Sequence, residues 1–356
     1  MTDRVGKLRE KLSQYELENL LVTDILNVRY LSGFTGSYAA LLVTEEDVFL
    51  LTDFRYVEQV KQECPGVTLE IVERSWLPGV HQLAERMHIR SIGFEANALD
   101  YADWQTLSGS LPFTQLVPVS ENPISELRMV KDAGELESIR EAVRIADRTY
   151  EHVSGIIRPG ISERDIAIAI ECFMRKSGAE KEGFGTIVAA GARSALPHGK
   201  PTDARIREGE IVLMDFGCVW NGYHSDITRT NVIGLPDARQ EEIYGIVLEA
   251  QSKAMQAIRP GILGRDIHAV AADYIASKGY GERFGHGLGH GLGLDIHDAK
   301  ILSSQSNIAL ERNMVVTVEP GIYIPGWGGI RIEDDIVVTE TGAEILTKSP
   351  RSLSLA

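Results

Sequence analysis

No run of 18 or more apolar residues occurs in the 356-residue chain, so nothing in it reads as a membrane-spanning helix. Cysteine is scarce. The three present, Cys64, Cys172 and Cys218, lie far apart, in none of the paired spacings of a zinc site or a redox dithiol, and read as plain buried thiols. Positive charge is short as well: 36 Lys and Arg face 51 Asp and Glu, a formal charge of −15, and no basic run is set apart from the acids. Such a surface repels phosphate backbones, which argues against a nucleic-acid partner. The opening Met1 to Lys11 is charged and lacks the apolar core and small-residue cleavage site of a secretory leader, so a soluble, cytoplasmic protein with no membrane partner is expected. What is present is an ordinary folded composition, 44% apolar and 24% charged, in a chain long enough for two cores.

The first part alternates β-rich and helical runs. Leu20 to Val22, Ala39 to Thr44, Val48 to Thr52, Thr68 to Val72 and Ser91 to Glu95 read as strands, and Phe54 to Gln62 and Leu77 to Met87 as helices. That pattern predicts an α/β domain. Val117 to Pro123 breaks both periods and holds two prolines, which puts the domain boundary there and divides the chain into 1–122 and 123–356. Beyond it, Leu136, Ile139, Val143, Ala146, Tyr150 and Val153 step by three and four along one face of a long helix.

The second part contains a repeat. Arg158-Pro159-Gly160-Ile161 returns as Arg259-Pro260-Gly261-Ile262, and at the same separation of 101 residues Arg164-Asp165-Ile166 matches Arg265-Asp266-Ile267 and Gly178 matches Gly279. Each copy reads as a Pro-Gly turn, an amphipathic helix and a glycine C-cap. The following strands align as well, so that Asp215 corresponds to Glu319. A period this long excludes a solenoid and predicts two helix-plus-strand halves about a pseudo-twofold.

Asn221-Gly222 between two β-rich runs is a strong hairpin signal. With that turn, partners have residue numbers summing to 443, which sets Asp215 opposite Thr228 and Asp226 opposite Gly217. The two acids are then diagonal neighbours on one face, about 7–8 Å apart at the backbone, with Gly217 clearing space across from Asp226. An exposed hairpin face carrying two surface acids would give the same pattern. Glu319 and Glu333 come from the other half. Four acids aimed at one centre stay protonated unless a cation neutralises them, so a metal is the natural partner. Taken singly, Glu333 also fits a solvated acidic run and Arg331 a simple salt bridge.

Between the acid pairs runs Phe284 to Asp298, with His286, His290 and His297 among alternating glycines. The glycines oppose a helical zinc motif, and their spacing is not that of a dinucleotide loop. In extended backbone His286, Leu288, His290 and Leu292 would share one side, the glycines admitting a close neighbour on the other. His198, in the turn-rich Pro197-His198-Gly199, is placed for contact with a substrate on a loop, although an exposed loop histidine is the plainer alternative.

Together Pro197-His198-Gly199, Asp215, Asp226, His290 within Gly287 to Gly293, Glu319-Pro320-Gly321 and Arg331-Ile332-Glu333-Asp334 resemble the pita-bread metallopeptidases, in the branch of the Xaa-Pro peptidases, prolidase and aminopeptidase P. The likeness extends to Asn27 to Phe34, which resemble the creatinase-type N-terminal domain. It implies an α/β creatinase/prolidase-like domain at 1–122 and a pita-bread metallopeptidase catalytic domain at 123–356.

By residue, the resemblance implies that Asp215, Asp226, His290, Glu319 and Glu333 bind two divalent ions, with Asp226 and Glu333 bridging. One imidazole among oxygen ligands suits manganese, with cobalt or zinc as alternatives. It implies hydrolysis of the Xaa-Pro bond of dipeptides or short peptides by a metal-bridging hydroxide, with Glu319 moving protons. His198, His286 and His297 take supporting catalytic roles, and His198, His297 and Arg331 contact the substrate. A homodimer is implied too. Within the family, aminopeptidase P on longer peptides is the nearest alternative. Methionine aminopeptidase lacks such an N-terminal domain, metal-free creatinase lacks the five ligands, and a non-catalytic pita-bread binding protein usually loses some of them.

Overall fold

The computed structural model describes residues 2–355. The chain divides into two compact units, Met1–Arg128 and Met129–Ala356.

The first unit is built on a six-stranded sheet in the order Thr68–Val72, Val48–Asp53, Ala40–Val43, Leu20–Val22, Ser91–Glu95, Gln115–Val119. Leu21, Leu42, Leu51 and Ile92 bury one face against Val80 and Leu83 of the helix Leu77–Arg86. The expected break at Val117 to Pro123 is in part a strand. Gln115–Val119 pairs in parallel with Ser91–Glu95 at the sheet's edge, where Pro118 removes no hydrogen bond the sheet needs, and Pro123 opens the helix Pro123–Met129. Helices Thr2–Gln14, Ile25–Ser32, Val57–Glu63 and Tyr101–Ser110 complete the unit.

The second unit carries the repeat into three dimensions. Gly160 and Gly261 both take the left-handed conformation, φ +91° and +86°, and each donates its N–H across a matching turn, to Ile206 O and Leu310 O, both at 2.8 Å. Helices Glu163–Lys176 and Gly264–Ser277 follow, each closed at Gly178 or Gly279, also left-handed. Ile166, Ile170 and Met174 of the first pack on Val212 and Met214; Ile267, Ala271 and Ile275 of the second pack on Val316 and Val318. These are repeat-related positions, so one packing solution is used twice. Cys64 and Cys218 are buried, but Cys172 is exposed, because it lies off the Ile166, Ile170, Met174 stripe of its helix.

The hairpin has the predicted register. Asn221 and Gly222 have φ of +49° and +79°, as a type I′ turn requires, and Asp215 pairs with Thr228. The acidic run Glu333, Asp334, Asp335 is not solvated: the three residues are 1%, 0% and 0% exposed. Arg229, itself 1% exposed, gives N–H groups to Thr228 O, Glu333 O, Ser349 O and Pro350 O, and to Asp334 Oδ1 at 2.7 Å. Arg229→Met would strand those acceptors. The expected loss is about 3–5 kcal/mol of unfolding free energy, read as a lower urea midpoint at unchanged slope. Among the described residues no helix is long and apolar enough to cross a membrane.

Candidate metal centre

Four strands and their turns deliver the acids. Asp215 ends Ile211–Phe216, Asp226 precedes Ile227–Val232, Glu319 follows Val315–Val318, and Glu333 precedes Asp334–Val338. Gly217 makes room for backbone rather than for the Asp226 side chain: a Cβ there would stand 1.8 Å from the Ser225 carbonyl oxygen. The two hairpin strands are thereby pressed together beside the acids.

The histidine segment departs from regular alternation. His290 lies on the short strand Gly289–Gly291 and lines the cavity, whereas Leu288 is buried in the apolar core, so the even-numbered residues do not share a face. Bends at 286 and 288 and a register shift between Gly289 and Gly291 break the pattern. The glycines do admit close neighbours, since a Cβ on Gly289 would lie 1.9 Å from Thr317 O.

His198, Asp215, Asp226, His286, His290, His297, Glu319, Arg331 and Glu333 all line one cavity of about 830 Å³ in the second unit. Ligand atoms of Asp226, His290 and Glu333 lie within 4.8 Å of one another. His290 Nε2 stands 3.6 Å from Asp226 Oδ2 and 3.5 Å from Glu319 Oε1. Its Nδ1 faces Gly291 O at 3.2 Å, which fixes the proton there and turns the Nε2 lone pair to the acids. Burial, with His297 beside it, pushes the imidazole down to about 4, so the ring is neutral at physiological pH, the state in which an imidazole can hold a metal.

Burial raises the other groups. Asp226 and Glu333 are held well above the carboxylate range by desolvation and then by neighbouring acids, and burial pushes Glu319 up to about 8. Asp215 Oδ1, Asp226 Oδ1 and Glu333 Oε1 are buried without a hydrogen-bond partner. Orphaned carboxylate oxygens are costly, and a hard cation satisfies all of them at once. The donor set therefore fits divalent ions.

Without metal, the raised Glu319 carboxyl makes the stability of the protein depend on pH. A carboxyl raised from 4.5 to about 8 stabilises the fold at low pH and loses that contribution as pH rises through its folded value. Bound cations remove the penalty. The melting-temperature gap between metal-loaded and chelated protein should widen from about pH 6 to about pH 8, which thermal scans at stepped pH would read.

Some supporting groups escaped the sequence reading. Thr228 Oγ1 donates to Glu333 Oε2 at 2.6 Å, Thr317 Oγ1 donates to Glu319 Oε1 at 3.2 Å, and Asp335 Oδ2 accepts the Asp226 N–H at 3.0 Å. Arg331 donates to Asp215 Oδ2, Thr228 Oγ1, Tyr323 OH and Pro197 O, so most of its fork is spent inside the protein, on one acid directly and on the hydroxyls and loop carbonyl around it. Tyr323 OH in turn meets His286 Nε2 at 2.9 Å, while His286 Nδ1 meets Gly287 O at 2.7 Å. Both nitrogens of His286 are thus engaged, whereas His198 and His297 are exposed on their loops. The ring of His297 lies 4.4 Å from that of His290.

This is the architecture and donor set of a metal-dependent hydrolase. The metallopeptidase family M24 model matches residues 137–340, and the creatinase/prolidase N-terminal domain model matches residues 4–130. The chain belongs to metallopeptidase family M24, with a creatinase-type domain ahead of the catalytic one. It is 38% identical over 356 residues to an Xaa-Pro dipeptidase of Pyrococcus horikoshii, covering 99% of each chain. An Xaa-Pro dipeptidase from Bacillus anthracis superposes with a TM-score of 0.97 at 41% identity, over 100% of this chain and 99% of that one. The X-Pro aminopeptidase from Thermotoga maritima gives 0.90 at 38% identity, over 96% and 98%.

Proposed function

We propose that this protein is an Xaa-Pro peptidase that cleaves dipeptides or short peptides at the bond preceding proline, using two divalent ions held by Asp215, Asp226, His290, Glu319 and Glu333. The observation that carries the reading is the convergence of those side chains, with partnerless buried carboxylate oxygens, in one cavity. When bound, the ions, manganese first and cobalt or zinc as alternatives, would polarise the scissile carbonyl and acidify water.

The chain's own residues do the rest. Glu319, with its carboxyl near neutrality in the metal-free protein, is suited to take a proton and pass it to the leaving proline nitrogen. His198 and His297 stand where they can donate to the peptide, and His286 is the fixed end of the Arg331–Tyr323 chain. Arg331 holds Asp215 in place and keeps an N–H for the substrate. Proline has no N–H of its own, so recognition falls to the shape and polar groups of the cavity rather than to a backbone hydrogen bond.

A cavity of about 830 Å³ has room for a dipeptide or a short peptide. The likeness to the Thermotoga maritima X-Pro aminopeptidase supports the second reading, action on longer peptides with proline second. A homodimer and a cytoplasmic location belong to the same proposal. Rates on Ala-Pro, Ala-Pro-Ala and Ala-Ala, each after chelation and after manganese is restored, test it. Metal-dependent cleavage of Ala-Pro above both others supports the dipeptidase, and preference for Ala-Pro-Ala supports the aminopeptidase. Cleavage of Ala-Ala alone contradicts both.

A further inference from the structure

The pseudo-twofold makes the two halves comparable residue by residue, and one position breaks the match inside a conserved backbone arrangement. Strand Ile187–Ala190 corresponds to 288–291 in the other half: Ile187 pairs with Asp215 as the Leu288 carbonyl accepts the N–H of Glu319. The segments that follow these strands each carry a histidine into the cavity, His198 in one half and His297 in the other. At the start of the neighbouring helices, Glu163 in the first half corresponds to Gly264 in the second. Gly264 packs directly on backbone, since a Cβ there would lie 1.8 Å from Ile301 O. Where the second half closes up on glycine, the first inserts a carboxylate.

That carboxylate is 0% exposed and fully occupied. Its Oε1 accepts Ala190 N–H at 2.8 Å and Arg193 Nε–H at 3.0 Å; its Oε2 accepts Thr202 N–H at 2.9 Å and Thr202 Oγ1–H at 2.6 Å. Ala190 and Thr202 are the two ends of the loop that bears His198. Arg193, gripped by Glu163, reaches on to Lys200 O at 2.7 Å, just past the histidine. Nearer to His198, the loop is held by Arg331 on Pro197 O at 3.3 Å and by a turn from Gly199 N to Leu196 O at 3.0 Å. Ser194 is tied separately, to Gly329 N.

We propose that Glu163 is a positioning residue for His198: it clamps both ends of the loop and so aims the imidazole at the substrate. The inference rests on the Xaa-Pro reading given above. Glu163 does not line the cavity, so it acts through the loop rather than by contact with the reacting groups. Every neighbour of its oxygens is a donor, so Glu163→Gln would set an amide NH₂ against donors while changing the side chain's size very little.

The test is a double-mutant cycle on the manganese-loaded enzyme with Ala-Pro as substrate. E163Q should lower kcat/KM by about 10–100-fold, the usual cost of losing a group that orients a working side chain. In an H198A background the same change should add almost nothing, because the group it positions is gone. Bound manganese should stay at the wild-type level, as Glu163 touches none of the ligands. Full additivity, or wild-type kcat/KM in E163Q, would overturn the proposal. If E163Q proves too unstable to purify, T202V removes one of the three loop-end hydrogen bonds and should show a smaller loss with the same non-additivity. Hydrogen exchange gives a readout independent of activity: amides of 191–202 should lose protection in E163Q while those of 211–216 keep theirs. Unchanged protection of the loop would sink the clamp, whereas a wild-type enzyme inactive on Ala-Pro under any metal would sink the Xaa-Pro reading on which the proposal stands.

Discussion

Asp226→Asn is expected to lower manganese-dependent hydrolysis of Ala-Pro by about 10³-fold or more, the scale of losing several kcal/mol of transition-state stabilisation. The reason is local. Asp226 Oδ1 has no protein partner, Oδ2 stands 3.6 Å from His290 Nε2, and the carboxyl lies among Glu333, Asp215 and Glu319. An amide there contributes no charge and would offer a donor to the space a cation needs. The fold should survive, because the structural bond at this position is made by the Asp226 backbone N–H to Asp335 Oδ2, which the substitution keeps. Chelated variant and chelated wild type should therefore melt alike, the variant no lower, since it loses one of several crowded acids. Manganese should raise the melting temperature of the wild type only, by linkage to binding. Wild-type turnover in the variant would mean that Asp226 is not a ligand.

Glu319→Gln should separate binding from proton transfer. Glu319 Oε1 lies 3.5 Å from His290 Nε2 and accepts a hydrogen bond from Thr317 Oγ1. A glutamine of the same shape would keep an oxygen for coordination and for Thr317, yet it cannot take up or release a proton. The expected loss is in kcat, about 10²–10⁴-fold, with a smaller change in KM, and without the limb of the pH profile that reports this carboxyl. A loss confined to KM, with kcat kept, would assign Glu319 to substrate binding alone.

Much of the second unit was legible because its signals are local or repeated. Asn221-Gly222 fixed the register of the hairpin and with it the pairing of Asp215 with Thr228, and the Arg-Pro-Gly-Ile repeat marked the two halves. Other features were hidden for physical reasons. Pro118 disguised an edge strand, because proline is excluded from sheet interiors but not from edges. The histidine and glycine segment bends where alternation was expected, as glycine permits both. Thr2–Gln14 was passed over as a charged run, although Val5, Leu8 and Leu12 form its buried face. Tyr323, Thr228 and Glu163 carried no motif at all, since their partners, His286, Glu333 and Thr202, are distant in the chain and meet them only in the folded structure.

The most direct test of the account is a metal titration of fully chelated protein, following Ala-Pro hydrolysis and bound manganese together. The ligand set predicts no turnover without metal and activity that rises to a plateau at two ions per chain in the wild type, with neither the plateau nor the activity in Asp226→Asn. Undiminished hydrolysis by the chelated enzyme, or full activity with no metal retained, would contradict it.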